Sequence, residues 1–184
     1  MILSDLVFEI PRKASPALSD KFNIVMICSF APDEPVQQVV KAAYELEDVH
    51  FYITGNTKNA PNKLLEERTD NVTFTGFLSD QDYYDLLHAS DAIMVLVDRA
   101  NTMQQGAYEA VSVKKPMILS NSEVLQDTYQ QGVVFVENNE LGIREGVLKM
   151  INNFPKMKEE MDALHHERLA VWDEKCSFLK GVIK

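Results

Sequence analysis

The sequence is poor in the residues that would staple, kink or anchor a chain. Only two cysteines occur in 184 residues, Cys28 and Cys176, far apart. That excludes a disulfide-framed scaffold, offers no cluster of thiols for zinc, and suits a reducing compartment. Seven glycines and seven prolines are too few for a collagen-like or low-complexity chain. No apolar run approaches the roughly 18 residues of a membrane span. The opening "MILSDLVFEIPRK" meets Asp5 before any base, unlike a secretory leader. A cytoplasmic chain with no transmembrane segment is the expectation. Bases are scarce too: 18 Lys and Arg against 28 Asp and Glu, a net charge of −10. Nucleic acids and anionic membranes are bound by clustered Lys and Arg that replace counterions. No nucleic-acid partner is expected, and any phosphate site must be local.

What is present is ordinary globular material, 46% hydrophobic and 25% charged, in a length that suits one domain with a real core. From Phe22 onward the pattern alternates. "FNIVMICSF", "VHFYITGN", "NVTFTGF", "DAIMVLV", "PMILSN" and "VVFVEN" read as strands. Between them lie helical stretches. "VQQVVKAAYEL" sets Val36, Val39, Val40 and Ala43 on one face, and "SDQDYYDLLHAS" opens on a capping-box variant, Ser79 with Asp82, stapled by Leu78 and Tyr83. "SEVLQDTYQQG" is a helix stopped by Gly132, and the rest is helical apart from a break near Phe154–Pro155. Apolar strands alternating with helices predict a doubly wound α/β fold: a parallel, six-stranded, Rossmann-like sheet covered on both faces, with a C-terminal helical extension.

Such sheets bind ligands beyond the carboxyl ends of their strands, where strand order reverses. With the common order, the loops "CSFAPDEP" and "DRANTMQQG" line that crevice. The first contains no G-x-G-x-x-G, which argues against a dinucleotide lying across it. The second ends at Gly106, where the free N–H groups of a helix start favour an anion. Arg99, at the end of the fourth strand, is the best placed cation; its alternative role is a surface ion pair with Asp98 or another nearby acid. Lys114 and Lys115 fit the C-terminus of the same helix. Glu109, just inside that helix, is either a ligand acceptor or a local cap. His165 and His166 point in different directions on a helix, which suits solvated surface rather than a metal pair. His50 and His88 have no metal-ligating neighbours in sequence reach, and no metal site is expected.

Three segments fall in register with one family. "NVTFTGFLSDQDYYDLLHASDAIMVL", "YEAVSVKKPMILSN" and "QGVVFVENNELGIREGVLKMINN" resemble the carboxyl-terminal, nucleotide-sugar-binding domain of the group 1, family four retaining glycosyltransferases of the GT-B fold. "AVWDEKCSFLK" is similar to the aromatic-led helix that closes many members. The resemblance runs over some 160 residues and implies a role for Glu109, as the second of the family's two glutamates, which accepts hydrogen bonds from the donor's ribose. It implies Gly106 and Ala107 backbone at the phosphate and Phe77, after Gly76, against the base, with Arg99 the candidate to supply charge in place of the family's own cations; core packing is the other reading of Phe77. The first family glutamate falls on Asn101, a neutral amide. The family's Arg and Lys after the first strand fall on Ser29 and Glu34, and its glycines on Cys28 and Pro35.

The resemblance implies a nucleoside-diphosphate sugar as donor substrate and no other cofactor. It divides the chain into a linker-like segment at 1–21, a Rossmann-like domain at 22–153 and a closing helix at 154–184. The acceptor-binding amino-terminal domain would be a separate domain or subunit. The alternative is a non-catalytic module that keeps the fold and weak nucleotide binding, or that stabilises a partner. An epimerase of the same fold class is disfavoured, because it too needs both domains. On the closing helix, Met157, Met161, Leu164, Trp172, Cys176 and Leu179 form an apolar stripe interrupted by Arg168. Part of it is expected on the sheet and part is expected to face a partner, with Trp172 at the centre.

Overall fold

Six short apolar runs become strands because their residues can be buried on both faces at once. They are β1 (Phe22–Met26), β2 (Val49–Thr54), β3 (Val72–Gly76), β4 (Ala92–Val95), β5 (Met117–Ser120) and β6 (Val133–Val136). The computed structural model describes residues 7 and 10–182, with side chains to 178. All pairings are parallel, in the order β3-β2-β1-β4-β5-β6. The order reverses between β1 and β4, which pair Ile24 with Ala92 and Met26 with Met94.

Alternation along each strand divides the core in two. Ile24, Met26, Phe51, Ile53, Met94 and Ile118 face one layer, formed by α1 (Val36–Ala43) and α6 (Glu140–Asn152). Val25, Ile93, Val95, Met117 and Leu119 face the other, formed by α3 (Asp80–Ala89), α4 (Gln105–Ser112) and α7 (Phe154–Val182). The short α2 (Asn62–Glu66) and α5 (Glu123–Thr128) complete the connections. Close approach sets α6 on β6: a methyl group built on Gly146 would stand 2.1 Å from Val136 Cγ1.

The capping reading of α3 holds. Ser79 accepts from the Asp82 N–H at 3.2 Å and donates to its carboxylate at 2.6 Å, while Leu78 and Tyr83 both pack on the core. The helical break is present: α6 ends at Asn152 with Asn153 as its C-cap, and α7 begins at Phe154, leaving Pro155 in a first turn, where its missing N–H costs nothing. α5 ends at Thr128, short of Gly132, because Tyr129 turns to extended backbone and buries its ring.

Of the stripe on α7, Met157, Met161 and Leu164 are buried, and Trp172 and Cys176 are half-buried. The Leu179 side chain lies outside those described. Arg168 does not interrupt the packing, since it donates to Thr128 O and lies 5.7 Å from the centre of the Tyr129 ring. His165 corrects an expectation: it is 1% exposed and donates through Nδ1 to Val111 O at 2.8 Å, because α7 packs on α4; His166 is the exposed one.

The irregular segment before β1 lies along the outer layer. His88 Nε2 donates to Ile10 O at 2.7 Å, the Lys13 N–H to Asp85 at 2.8 Å and the Ser19 N–H to Tyr52 Oη at 3.0 Å. Residues 1–6, 8 and 9 of the linker-like segment lie outside the described residues.

Candidate functional site

The carboxyl ends of β1 and β4 open onto two loops that are tied to each other. The Asp98 N–H donates to Asp33 O at 2.7 Å, and Arg99 pairs with the Asp33 carboxylate at 3.1 Å. Arg99 is 68% exposed, so this pair is worth at most about 1 kcal/mol. Between the ties, the first loop curls round its own carboxylate. Glu34 accepts from the Ala31 N–H at 2.7 Å, from the Ser29 N–H at 2.9 Å and from Ser29 Oγ at 3.2 Å. The curl needs Phe30 at φ 62, a left-handed conformation that is uncommon for an aromatic residue. Asn101, in the second loop, is also left-handed at φ 55, which asparagine tolerates well.

The second loop leads into α4. Its N-cap residue, Gln104, makes no side-chain capping bond, and no acid stands in the first turn. The helix start is therefore open to an anion from outside. Gly106 lets the helix sit close to the sheet, since a methyl group there would be 3.0 Å from Val95 Cγ2 and 3.1 Å from Ile27 Cδ1. The Ala107 N–H already donates to Gln104 O at 3.1 Å.

One turn further on, Glu109 is half-buried and accepts from Tyr83 Oη at 2.5 Å. Burial raises the pKa of Glu109, and the bond from Tyr83 opposes that rise. Burial and the neighbouring carboxylate both push the Tyr83 phenol up, so it stays a donor. Tyr83 lines a cavity of about 250 Å³ with Ile27, Thr54, Gly55, Gly76 and Phe77. Gly76 turns the chain at φ 70, and Phe77 stands 83% exposed at the rim. Gly55, at φ 109, admits Cys28 O, which would lie 2.5 Å from a methyl group there. Cys28 also lines the cavity, but its thiol bonds Thr54 O and burial pushes it up to about 12, so it is neutral and inert.

Residues 21–153 match the sequence model of a family described as "Glycosyl transferases group 1". The chain belongs to this family. No curated protein matches it in sequence. Among solved structures it is similar to a glycosyltransferase from Rickettsia africae, at 17% identity and TM-score 0.73, covering 91% of this chain and 49% of that one. HepE from Anabaena, solved in complex with UDP and glucose, is 12% identical at TM-score 0.72, over 88% and 48%. Sucrose-phosphate synthase from Thermosynechococcus elongatus is 15% identical at TM-score 0.67, over 90% and 47%. At these identities the likeness shows the fold, that of the carboxyl-terminal half of GT-B glycosyltransferases. The chain spans about half the length of each of them.

On this glycosyltransferase fold the six expected site residues fall into two groups. Phe77, Gly106 and Glu109 gather round the smaller cavity: Phe77 at its rim, Gly106 against Ile27 of its wall, and Glu109 through Tyr83. Ala107, fully buried, follows Gly106 in the same turn. Arg99 and Asn101 line a separate, more polar hollow of about 500 Å³ with Ser120, Ser122 and Glu137. The core reading of Phe77 is excluded by its exposure. Lys115 lies away from both groups, donating to Ser90 O at 2.6 Å. In the sequence Tyr83 fits a hydrophobic staple, and Glu34 stands where the family has a cation. Their bonding roles depend on contacts that spacing does not reveal. Among the described residues no three His, Cys, Asp or Glu side chains group to hold a metal, and no helix is long and apolar enough to cross a membrane.

Proposed function

We propose that the chain is the donor-binding half of a retaining glycosyltransferase of the cytoplasm, taking a nucleoside-diphosphate sugar. The observation that carries this reading is the half-buried Glu109 carboxylate one turn into a helix whose start is uncapped. A carboxylate offers two acceptor oxygens to a ribose diol, and the helix start offers N–H groups to a diphosphate. Glu109 would take the ribose and Gly106 the phosphate; Ala107 would join by sharing the N–H it now gives to Gln104. Phe77 would lie against the base, and Arg99 and Asn101 would face the phosphate and sugar. Residues 1–21 serve as a linker and 154–184 as the closing helix. An acceptor-binding domain or subunit completes the cleft, and no cofactor beyond the donor is assigned. HepE, in complex with UDP, makes UDP the natural first probe.

Alone, the chain should bind UDP at the millimolar end of the scale, about −4 kcal/mol. It should transfer no sugar, since half a cleft forfeits the positioning that is worth roughly 7–11 kcal/mol in good cases. Amide shifts at Gly106 and Glu109 on titration with UDP, ADP and GDP, reduced by Glu109→Ala, test the reading. No shift with any of the three refutes it.

A second reading, a non-catalytic module, is favoured by a specific feature of the crevice. The first loop supplies its own anions: Glu34 holds the Ser29 and Ala31 amides, and Asp33 holds Arg99. With Asn101 unable to act as a base, this arrangement favours structure over leaving-group stabilisation. Weak UDP binding with no turnover, even when an acceptor-binding domain is supplied, separates this reading from the first.

A further inference from the structure

We propose that Tyr83 is a positioning residue for ligand recognition, holding the Glu109 carboxylate in one orientation so that its free oxygen can accept from a sugar hydroxyl. The proposal rests on the donor-site reading of Glu109 and adds a residue to it. Tyr83 and Glu109 are 26 positions apart, on α3 and α4, and meet through a hydrogen bond of 2.5 Å. Among the described residues nothing else bonds this carboxylate. Its Oε2 is fixed, and its Oε1 is left with acceptor capacity.

The geometry gives Tyr83 two jobs at once. It lines the cavity together with Phe77, and its hydroxyl donates to Glu109. A ligand with its base in the cavity would bring the attached sugar toward the carboxylate that Tyr83 holds. Burial alone drives a carboxyl toward its neutral form, which donates a proton rather than accepting one, and a short bond from a phenol favours the ionised form.

The surroundings leave this task to Tyr83. Tyr84, also on α3, is the other titratable group that interacts with Glu109 electrostatically; Asp80 acts on Tyr84. In the loop after β1, Cys28 in the cavity wall is neutral. From α7, His165 meets α4 at Val111, which helical geometry puts about 200° round from Glu109. No cation is found among the groups that shift Glu109.

The test compares wild type with Tyr83→Phe, which removes one oxygen and keeps the ring. In the ligand-free chain, carboxyl carbon NMR follows the titration of Glu109. UDP titrations at pH 8 and at a pH between the Glu109 midpoints of the two proteins follow binding, and far-ultraviolet circular dichroism confirms the fold. Loss of the phenol bond should move the Glu109 midpoint to higher pH. At a pH between the two measured Glu109 midpoints, UDP binding by the variant should then weaken more, relative to wild type, than it does at pH 8. An unmoved midpoint, or the same loss of affinity at both pH values, overturns the proposal, because a wall residue alone would act uniformly. Failure of wild type to bind UDP, ADP and GDP alike at either pH is a different result: it sinks the donor-site reading and the ligand role of Tyr83 with it. A moved midpoint in that case would still show the hold on Glu109.

Discussion

The Glu34 loop makes the sharpest test, because one carboxylate holds three donors of the loop that follows β1. Glu34→Ala would remove the acceptor for the Ser29 N–H, the Ala31 N–H and Ser29 Oγ together. The bonds resemble a side-chain cap, for which loss costs about 0.5–2 kcal/mol. Ser29 is exposed, so water competes for part of each bond. Phe30, held at φ 62, would relax once released and return some of the loss. A net destabilisation of about 0.5–1.5 kcal/mol follows, and for a chain of this length that lowers Tm by about 1–6 °C. Glu34→Gln keeps one carbonyl acceptor and should lose about half as much.

Calorimetry supplies the Tm, and hydrogen exchange at the Ser29 and Ala31 amides reports the loop itself. Both amides should lose protection in the alanine variant, while those of β1 should not. If the donor reading is right, the same change removes a negative charge from the crevice and strengthens UDP binding roughly two- to fivefold, or ~0.5–1 kcal/mol at low salt. The gain should fade as salt rises. A variant that melts within a degree of wild type, with both amides still protected, would refute the account of the loop. Unchanged UDP affinity in a destabilised variant would refute only its link to the ligand.

Other consequences follow from single contacts. Gly146→Ala should destabilise by about 1–3 kcal/mol, since its methyl group would overlap the stiff, buried Val136, and adding Val136→Ala should recover part of the loss in denaturant melts. A thiol reagent at pH 8 should label Cys176, half-exposed on α7, and leave Cys28 untouched until the chain unfolds. For Glu109 the sign runs opposite to most acids: its pKa is raised on folding, so the folded chain holds that proton better than the unfolded one. Its contribution to stability is greatest below the ordinary carboxylate range and is lost as pH rises through the raised value. Glu109→Gln should therefore raise Tm at neutral pH and flatten its pH dependence, while weakening UDP binding; a Tm at or below wild type at neutral pH would contradict the burial argument.

The layers of this fold were legible because each strand and helix announces itself locally. Val36, Val39, Val40 and Ala43 lie on one helical face in the sequence and in the core, and six apolar runs of the right length leave few alternatives to a parallel sheet. The strand order rested on the commonness of one arrangement, and the observed order agrees with it. Contacts between distant segments were not legible. His165 and His166 are neighbours with the same chemistry, and only the packing of α7 on α4 decides that one is buried and the other is wet.

The crevice shows why residue types were readable there and partners were not. Sequence supplied a base at Arg99 with an acid beside it, but its ion pair is with Asp33, 66 positions earlier, because strand order brings the β1 and β4 loops together. It marked Glu34 as a carboxylate where a cation was expected. It could not show the acid closing on the amides of its own loop, since that closure requires Phe30 to adopt a backbone conformation that no propensity favours. Both acids of "PDEP" thus act inward, on groups that would otherwise be free to meet an anion. An anionic ligand in this crevice must compete with carboxylates already in place. The start of α4, uncapped and without an acid, is where that competition is weakest.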